Sequence, residues 1–268
     1  MKLTKLFLAG LAGVFAFSSC QNDDLQEPYQ TDIPSDIYHQ LNELGFRANE
    51  VVAIGDDTYI VERDIKLTRT EIEDMAGWGQ VAGEHYHTTN LVATPRVITV
   101  WVDNSLTRKY RQAAVIGLTR YNALNLDISF ARASNAGSAD ILLKASPAFY
   151  EFLGILGSAG FPDAQGNPFN EVLLTRGFYD NVQNINGLAT TIAHEVGHCV
   201  GFRHTDYMDR SYSCGGPTDN EGDGGVGAVY IPGTPAGPSA NSWMLACGSP
   251  EGDRPFTNAD VNALTTLY

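Results

Sequence analysis

Residues 194–204 read H-E-V-G-H-C-V-G-F-R-H, and few runs of this length constrain a chain so tightly. On a helix, His194 and His198 stand four residues apart and share one face. Two imidazoles so placed can hold one Zn²⁺, and Glu195, one step round, can act as general base towards water. Gly201 lets the chain leave the helix in a left-handed conformation that only glycine adopts cheaply. The chain then bends back and delivers His204 as a third nitrogen. Three His ligands leave one tetrahedral position open, which distinguishes a catalytic zinc site from a structural one. A bare HExxH can be a surface helix with two stray histidines, but the helix phase argues against that here. At about 100° per residue, Leu188, Ile192, Val196 and Cys199 fall opposite the two histidines, giving an apolar back for a core.

The chain of 268 residues, 43% of them hydrophobic, can build one good core, or one and a small appendage. Its net charge of −14 repels phosphate backbones, so nucleic acid is not an expected partner. No internal apolar run approaches the length of a membrane span.

The N-terminus reads as an address. Lys2 and Lys5 precede an apolar stretch at 6–17, too short to span, and Ser18-Ser19-Cys20 follows. Residues 1–19 are expected to be a secretory signal. The site before Cys20 resembles a bacterial lipobox, with Phe17 an imperfect match, and implies a lipid on the Cys20 sulfur. The alternative is an ordinary signal peptide with an incidental cysteine. Gln21-Asn22-Asp23-Asp24 resembles an acidic sorting segment. The expected location is therefore the bacterial outer membrane, surface-exposed, with residues 20–33 as anchor and tether and the lipid as the sole membrane contact.

Residues 34–94 form a small N-terminal unit and connector. Periodicity predicts a helix over 34–44, strands at 51–54 and 58–62 around Gly55-Asp56-Asp57, and a helix opened by the Thr68/Glu71 capping box. From 95 to 268 the pattern predicts strands at 97–102, 127–130, 139–143 and 171–175 and a long helix over 106–124. A short segment holds Gly157, Ser158, Ala159, Gly160 and Phe161. The ligand helix spans about 187–200, a Gly/Pro-rich loop 211–242, and a closing helix begins near 258.

This order of elements, with HExxHxxGxxH and the downstream Met244, resembles the metzincin clan of zinc peptidases. G-F-R-H-T-D-Y-M-D-R-S-Y-S-C at 201–214, the loop holding Ile231-Pro232-Gly233-Thr234-Pro235, and Ser242-Trp243-Met244 are similar to the dual-action HEIGH metallopeptidase family, with Val196 in place of its Ile. The resemblance implies an α+β, metzincin-like zincin fold. A twisted mixed sheet would carry a zinc-bearing active-site helix, followed by a mostly irregular C-terminal subdomain. It implies one catalytic Zn²⁺ on His194, His198 and His204, with Glu195 catalytic and polypeptide substrates. Met244 would be the floor beneath the metal, although a plain core Met predicts similar packing. Residues 157–161 would be an edge strand along which substrate docks antiparallel; an ordinary loop is the alternative. The position at which some relatives carry an extra Tyr ligand is Ala246 here, and Tyr207 and Tyr212 read as packing residues.

His39 reads as a surface residue, and His85 and His87 as solvated loop residues of the connector. The acidic run from Asp219 to Asp223 could collect Ca²⁺, although a solvated turn fits it better. With Cys20 lipidated, an odd number of cysteines remains. Cys199 lies on the apolar back of the ligand helix, so the expected disulfide joins Cys214 and Cys247. The unit at 34–94 is placed as a pro-segment would be. No cysteine lies between Cys20 and Cys199, so a carboxylate such as Asp74 or Glu84, or plain occlusion, would have to restrain the site. The expected protein is a monomeric zinc endopeptidase. A non-catalytic surface adhesin and a zinc amidase acting on cell-wall peptides remain as alternatives.

Overall fold

The computed structural model describes residues 33–44, 46, 50–74, 85–222, 225–235 and 237–268. The signal segment, Cys20, the tether and Glu84 lie outside these residues.

The N-terminal unit begins with α1 (Ser35–Glu43), whose Ile37 and Leu41 are fully buried. Three strands follow, β1 (Val52–Ala53), β2 (Thr58–Val61) and β3 (Ile65–Thr68), in an antiparallel meander of that order. The third strand was not foreseen. Ile65 and Leu67 turn inward while Lys66 and Thr68 turn outward, the period-2 alternation of a half-buried strand. The expected capping box forms, with Glu71 accepting from the Thr68 amide at 2.6 Å and opening α2 (Arg69–Asp74). Ile37, Leu41, Tyr59, Val61, Ile65, Leu67 and Ile72 make a small core of this unit, into which the larger part of the molecule inserts Phe161.

The end of the expected connector is integral to the larger part. Strand β4 (Tyr86–His87) pairs antiparallel with a later strand, and His85 is buried against Asp260, 2.9 Å away. The expectation of a solvated His85 is thus wrong: a carboxylate from the closing helix gives the ring a buried partner. His87 is partly buried, its Nδ1 donating to the Thr88 carbonyl at 2.7 Å, and His39 is exposed as expected.

The main sheet is built on β5 (Arg96–Val102), β6 (Ile128–Arg132), β7 (Ile141–Ala145), β8 (Gly157–Ser158) and β9 (Glu171–Leu174), in the order β6-β5-β7-β9-β8. Four strands are parallel, and β8 runs antiparallel along β9 at one edge. Helix α3 (Arg108–Asn122) crosses between β5 and β6. Short helices α4 (Phe149–Phe152) and α5 (Arg176–Tyr179) flank β8 and β9. Helix α6 (Ile185–Cys199) starts at Asn184, whose side chain accepts from the Asn186 amide, and is buried from Gly187 onward. After it come α7 (Ser211–Cys214), β10 (Val229–Tyr230), which is the partner of β4, and α8 (Asn258–Leu267). Among the described residues no helix is long and apolar enough to cross a membrane.

One core joins the sheet (Ile98, Val100, Leu143, Val172), α3 (Tyr110, Tyr121), α6 (Leu188, Ile192, Val196) and Trp243. Helices α3 and α6 approach closely because Gly117 has no side chain. A Cβ there would lie 2.7 Å from the Ala189 carbonyl oxygen, a backbone atom that cannot yield. Gly117→Ala should therefore destabilise the fold by about 1–3 kcal/mol despite alanine's better helix propensity. A denaturant midpoint equal to or above wild type would contradict this packing.

Candidate metal centre

Helix α6 places His194 and His198 on one face, their Nε2 atoms 3.1 Å apart. Each ring's other nitrogen is spoken for: Nδ1 of His194 donates to the Trp243 carbonyl at 2.7 Å, and Nδ1 of His198 to the Phe202 carbonyl at 2.8 Å. A neutral imidazole carries one proton, so both Nε2 atoms are bare lone pairs facing each other. That contact is unfavourable unless a cation lies between them.

The third histidine arrives by the expected route. Gly201 adopts φ +102°, and the Phe202 amide returns to the Gly197 carbonyl at 2.9 Å. His204 is fully buried between two carboxylates, with Glu221 Oε1 2.7 Å from its Nδ1 and Asp64 Oδ2 2.9 Å from its Nε2. Burial alone would lower the His204 pKa, but the Asp64 and Glu221 charges outweigh it and hold it well above the ordinary value. His198 lacks such partners, and burial beside two other imidazoles pushes it well down.

The donor set fits zinc. Zn–N bonds of about 2.0–2.1 Å place ligand atoms of a tetrahedral ion about 3.3 Å apart. The separations here bracket that value: 3.1 Å between the α6 histidines, and 2.9 Å and 3.6 Å from Asp64 Oδ2 to His204 and His194. The four ligand atoms all lie within 4.8 Å of one another. A second group, Glu62, His204 and Glu221, shares His204 but is threaded by Arg203 and Arg210, which makes it an ion-pair network around the third ring.

Glu195 lies beside this cluster and is buried. Its Oε2 has no hydrogen-bond partner among the described residues. Burial, and then the nearby Asp64 charge, raise its pKa well above the carboxylate range. Gly157 makes room for it, since a Cβ there would lie 2.7 Å from Oε1. A cleft of about 180 Å³ opens in front, bordered by Gly157, Thr191, His194, Glu195 and Leu245, with Asp64 at its margin.

Met244 is fully buried. It rests against Gly197, where a Cβ would come within 2.6 Å of its sulfur. Its carbonyl accepts from the Thr205 amide at 2.8 Å, so the 243–244 turn holds both the first histidine and the segment after the third. Tyr207 packs at 4.2 Å edge-on to Tyr86, as a packing residue would, and Tyr212 is exposed. Within 157–161 only Gly157 and Ser158 form regular strand, Ala159 makes a bridge outward, and Phe161 leaves for the N-terminal core. Cys214 and Cys247 form a disulfide, and Cys199 is a buried free thiol.

Two functional candidates escaped the sequence. Asp64 brings an N-terminal carboxylate to the site; Glu84 and the Asp74 side chain lie outside the described residues. Glu221 orients His204, and Asp219 pairs with Arg210 at 3.5 Å. Among the described residues the acidic run thus serves histidine and arginine, which does not support a calcium site.

A family model for dual-action HEIGH metallopeptidases matches residues 59–268. No curated protein matches the chain. Two solved structures of myroilysin are similar. One has 16% identity and a TM-score of 0.44, covering 69% of this chain and 98% of its own. The other has 15% identity and a TM-score of 0.42, covering 67% and 86%. With the family matched across most of the described residues, including every histidine of the cluster, the chain belongs to the dual-action HEIGH metallopeptidases and is a zinc metallopeptidase of metzincin-like α+β fold.

Proposed function

We propose that this zinc metallopeptidase is an endopeptidase acting outside the cytoplasm from a lipid anchor, with His194, His198 and His204 as metal ligands and Glu195 as general base. The observation that carries the reading is the convergence of bare histidine Nε2 atoms beside a buried carboxylate whose Oε2 has no hydrogen-bond partner among the described residues. Zinc bound there supplies Lewis acidity, polarising a scissile carbonyl and easing deprotonation of water. Glu195 takes that proton and passes it to the leaving amine. Trp243 O, Phe202 O and Glu221 fix the tautomers, so each ring presents Nε2. Strand β8, at a sheet edge beside Glu195, favours an extended chain bound through its backbone and cut internally.

Incubating protein in which Asp64→Asn and Lys66→Pro free the metal position and the β8 edge with mixed peptides, with and without a zinc chelator, tests the activity. Chelator-sensitive internal cuts, read by mass spectrometry, are expected; release of terminal residues only would refute the endopeptidase assignment. Cleavage of peptidoglycan with proteins left intact would favour the amidase. For the anchor, Cys20→Ala should move the protein from the membrane to the soluble fraction.

Glu221 supports the third ligand from behind. Glu221→Gln keeps the shape but removes the charge on His204 Nδ1, and zinc affinity should fall roughly 10–100-fold. Competition with a chromophoric chelator measures this, and unchanged affinity would show that the carboxylate serves only Arg203 and Arg210.

A further inference from the structure

We propose that Asp64 is a fourth protein ligand of the zinc, delivered by the N-terminal hairpin, so that the chain folds as a latent enzyme whose metal opens only when this hairpin leaves. The inference rests on the zinc peptidase reading and deepens it.

Three independent observations converge on the hairpin between β2 and β3. The first is at the metal. Asp64 Oδ2 occupies the fourth corner of the cluster, 2.9 Å from His204 Nε2 and 3.6 Å from His194 Nε2. Its second oxygen, Oδ1, is buried without a hydrogen-bond partner among the described residues. A buried carboxylate left half-satisfied is costly unless a cation is at hand.

The second is at the edge strand. The Ala159 amide donates to the Asp64 carbonyl and the Lys66 amide to the Ala159 carbonyl, both at 2.8 Å. Ile65 and Ala159 thereby form a parallel bridge on the outer edge of the β8 segment. The backbone groups that would bind an extended substrate are already used by the chain itself.

The third is the anchoring of the turn. Glu62 and Arg63 adopt left-handed conformations, φ 55° and 72°, that residues with a Cβ rarely use. Arg210, from the segment after the third ligand, donates to the Glu62 carbonyl at 3.0 Å. Lys66 Nζ also reaches Glu171 on β9 at 2.5 Å. The surroundings therefore hold the turn at the site.

The plug is resistant to the enzyme it blocks. Asp64 reaches the metal position with a side-chain carboxylate, which has no amine to lose, while its own peptide bonds are held on the strand edge. As an intramolecular ligand it also competes at an effective concentration of about millimolar or above, so water and weak chelators are excluded without tight intrinsic binding.

The test uses the full chain loaded with Co²⁺ in place of zinc, whose visible absorption reports the ligand set. Wild type and Asp64→Asn are compared and titrated with acetohydroxamate, which needs an open metal position. The variant should show a shifted spectrum, and its acetohydroxamate midpoint should lie at least about 10-fold lower, the competitor having been removed. Lys66→Pro, which keeps Asp64 but deletes the amide that binds Ala159, should shift the midpoint the same way. It guards against a folding defect in the first variant, as thermal unfolding of each would show. Identical spectra and midpoints in all three chains would overturn the role of Asp64 and leave the zinc peptidase reading standing. Failure of every chain to bind Co²⁺ stoichiometrically would overturn both.

Discussion

Glu195→Gln should leave the metal centre filled and lower peptide hydrolysis by about 10²–10⁴-fold, the usual worth of general-base help. The substitution keeps volume and planarity and removes only the ability to accept a proton. Glu195 is not in the cluster of ligand atoms, so zinc content should match wild type. Its surroundings make the swap structurally mild. Oε2 has no hydrogen-bond partner among the described residues, so the amide forfeits none there, and Gly157 carries no side chain beside Oε1. A fall in zinc content equal to the fall in rate would make Glu195 a ligand. An unchanged rate would place the base elsewhere and revive the non-catalytic adhesin. The measurement belongs on protein whose hairpin has been displaced, since Asp64 would otherwise mask both chains.

What was legible in the sequence was local. His194, Glu195, His198, Gly201 and His204 lie within one helix and the turn after it, so spacing alone fixes their relation. The disulfide followed from helix phase, because Cys199 had to face the core. Asp64 was illegible because it meets His204 across 140 positions, a distance no periodicity encodes. Its hairpin was hidden as well. The turn uses Glu62 and Arg63 in left-handed conformations where Gly or Asn would normally advertise it, so β2 was read one residue too long and β3 not at all. His85 failed for a related reason. Its partner Asp260 lies 175 positions away, on a helix that was itself foreseen. Eliminating cysteine left a carboxylate or plain occlusion as the expected means of restraint, and only tertiary packing brings Asp64 to the histidines.

His204→Ala should abolish hydrolysis and lower zinc affinity far more than Glu221→Gln, because it removes a ligand and dismantles the network behind it. The ring is the shared partner of Asp64 and Glu221, both buried, and Arg210 and Arg203 close the same network. His204, with burial opposing it, helps keep Glu221 below its ordinary pKa, as do the two arginines. Without the ring, Asp64 and Glu221 lose their common hydrogen-bond partner, and Glu221 stays buried. Breaking a buried pair in this way typically costs about 3–5 kcal/mol. The arginines remain as partial compensation for Glu221, so the lower end of that range is expected in denaturant unfolding of the metal-free protein. The metal contribution adds to it: saturating zinc should raise the wild-type unfolding temperature and leave the variant's almost unmoved, since stabilisation by a ligand scales with the logarithm of its concentration over Kd. Two α6 histidines and Asp64 would still face one another, so residual weak binding is expected in the latent chain and should vanish in His204→Ala combined with Asp64→Asn. A His204→Ala chain with full zinc content and undiminished hydrolysis would mean that the third ligand comes from elsewhere, with Glu221, already beside the site, the first residue to test.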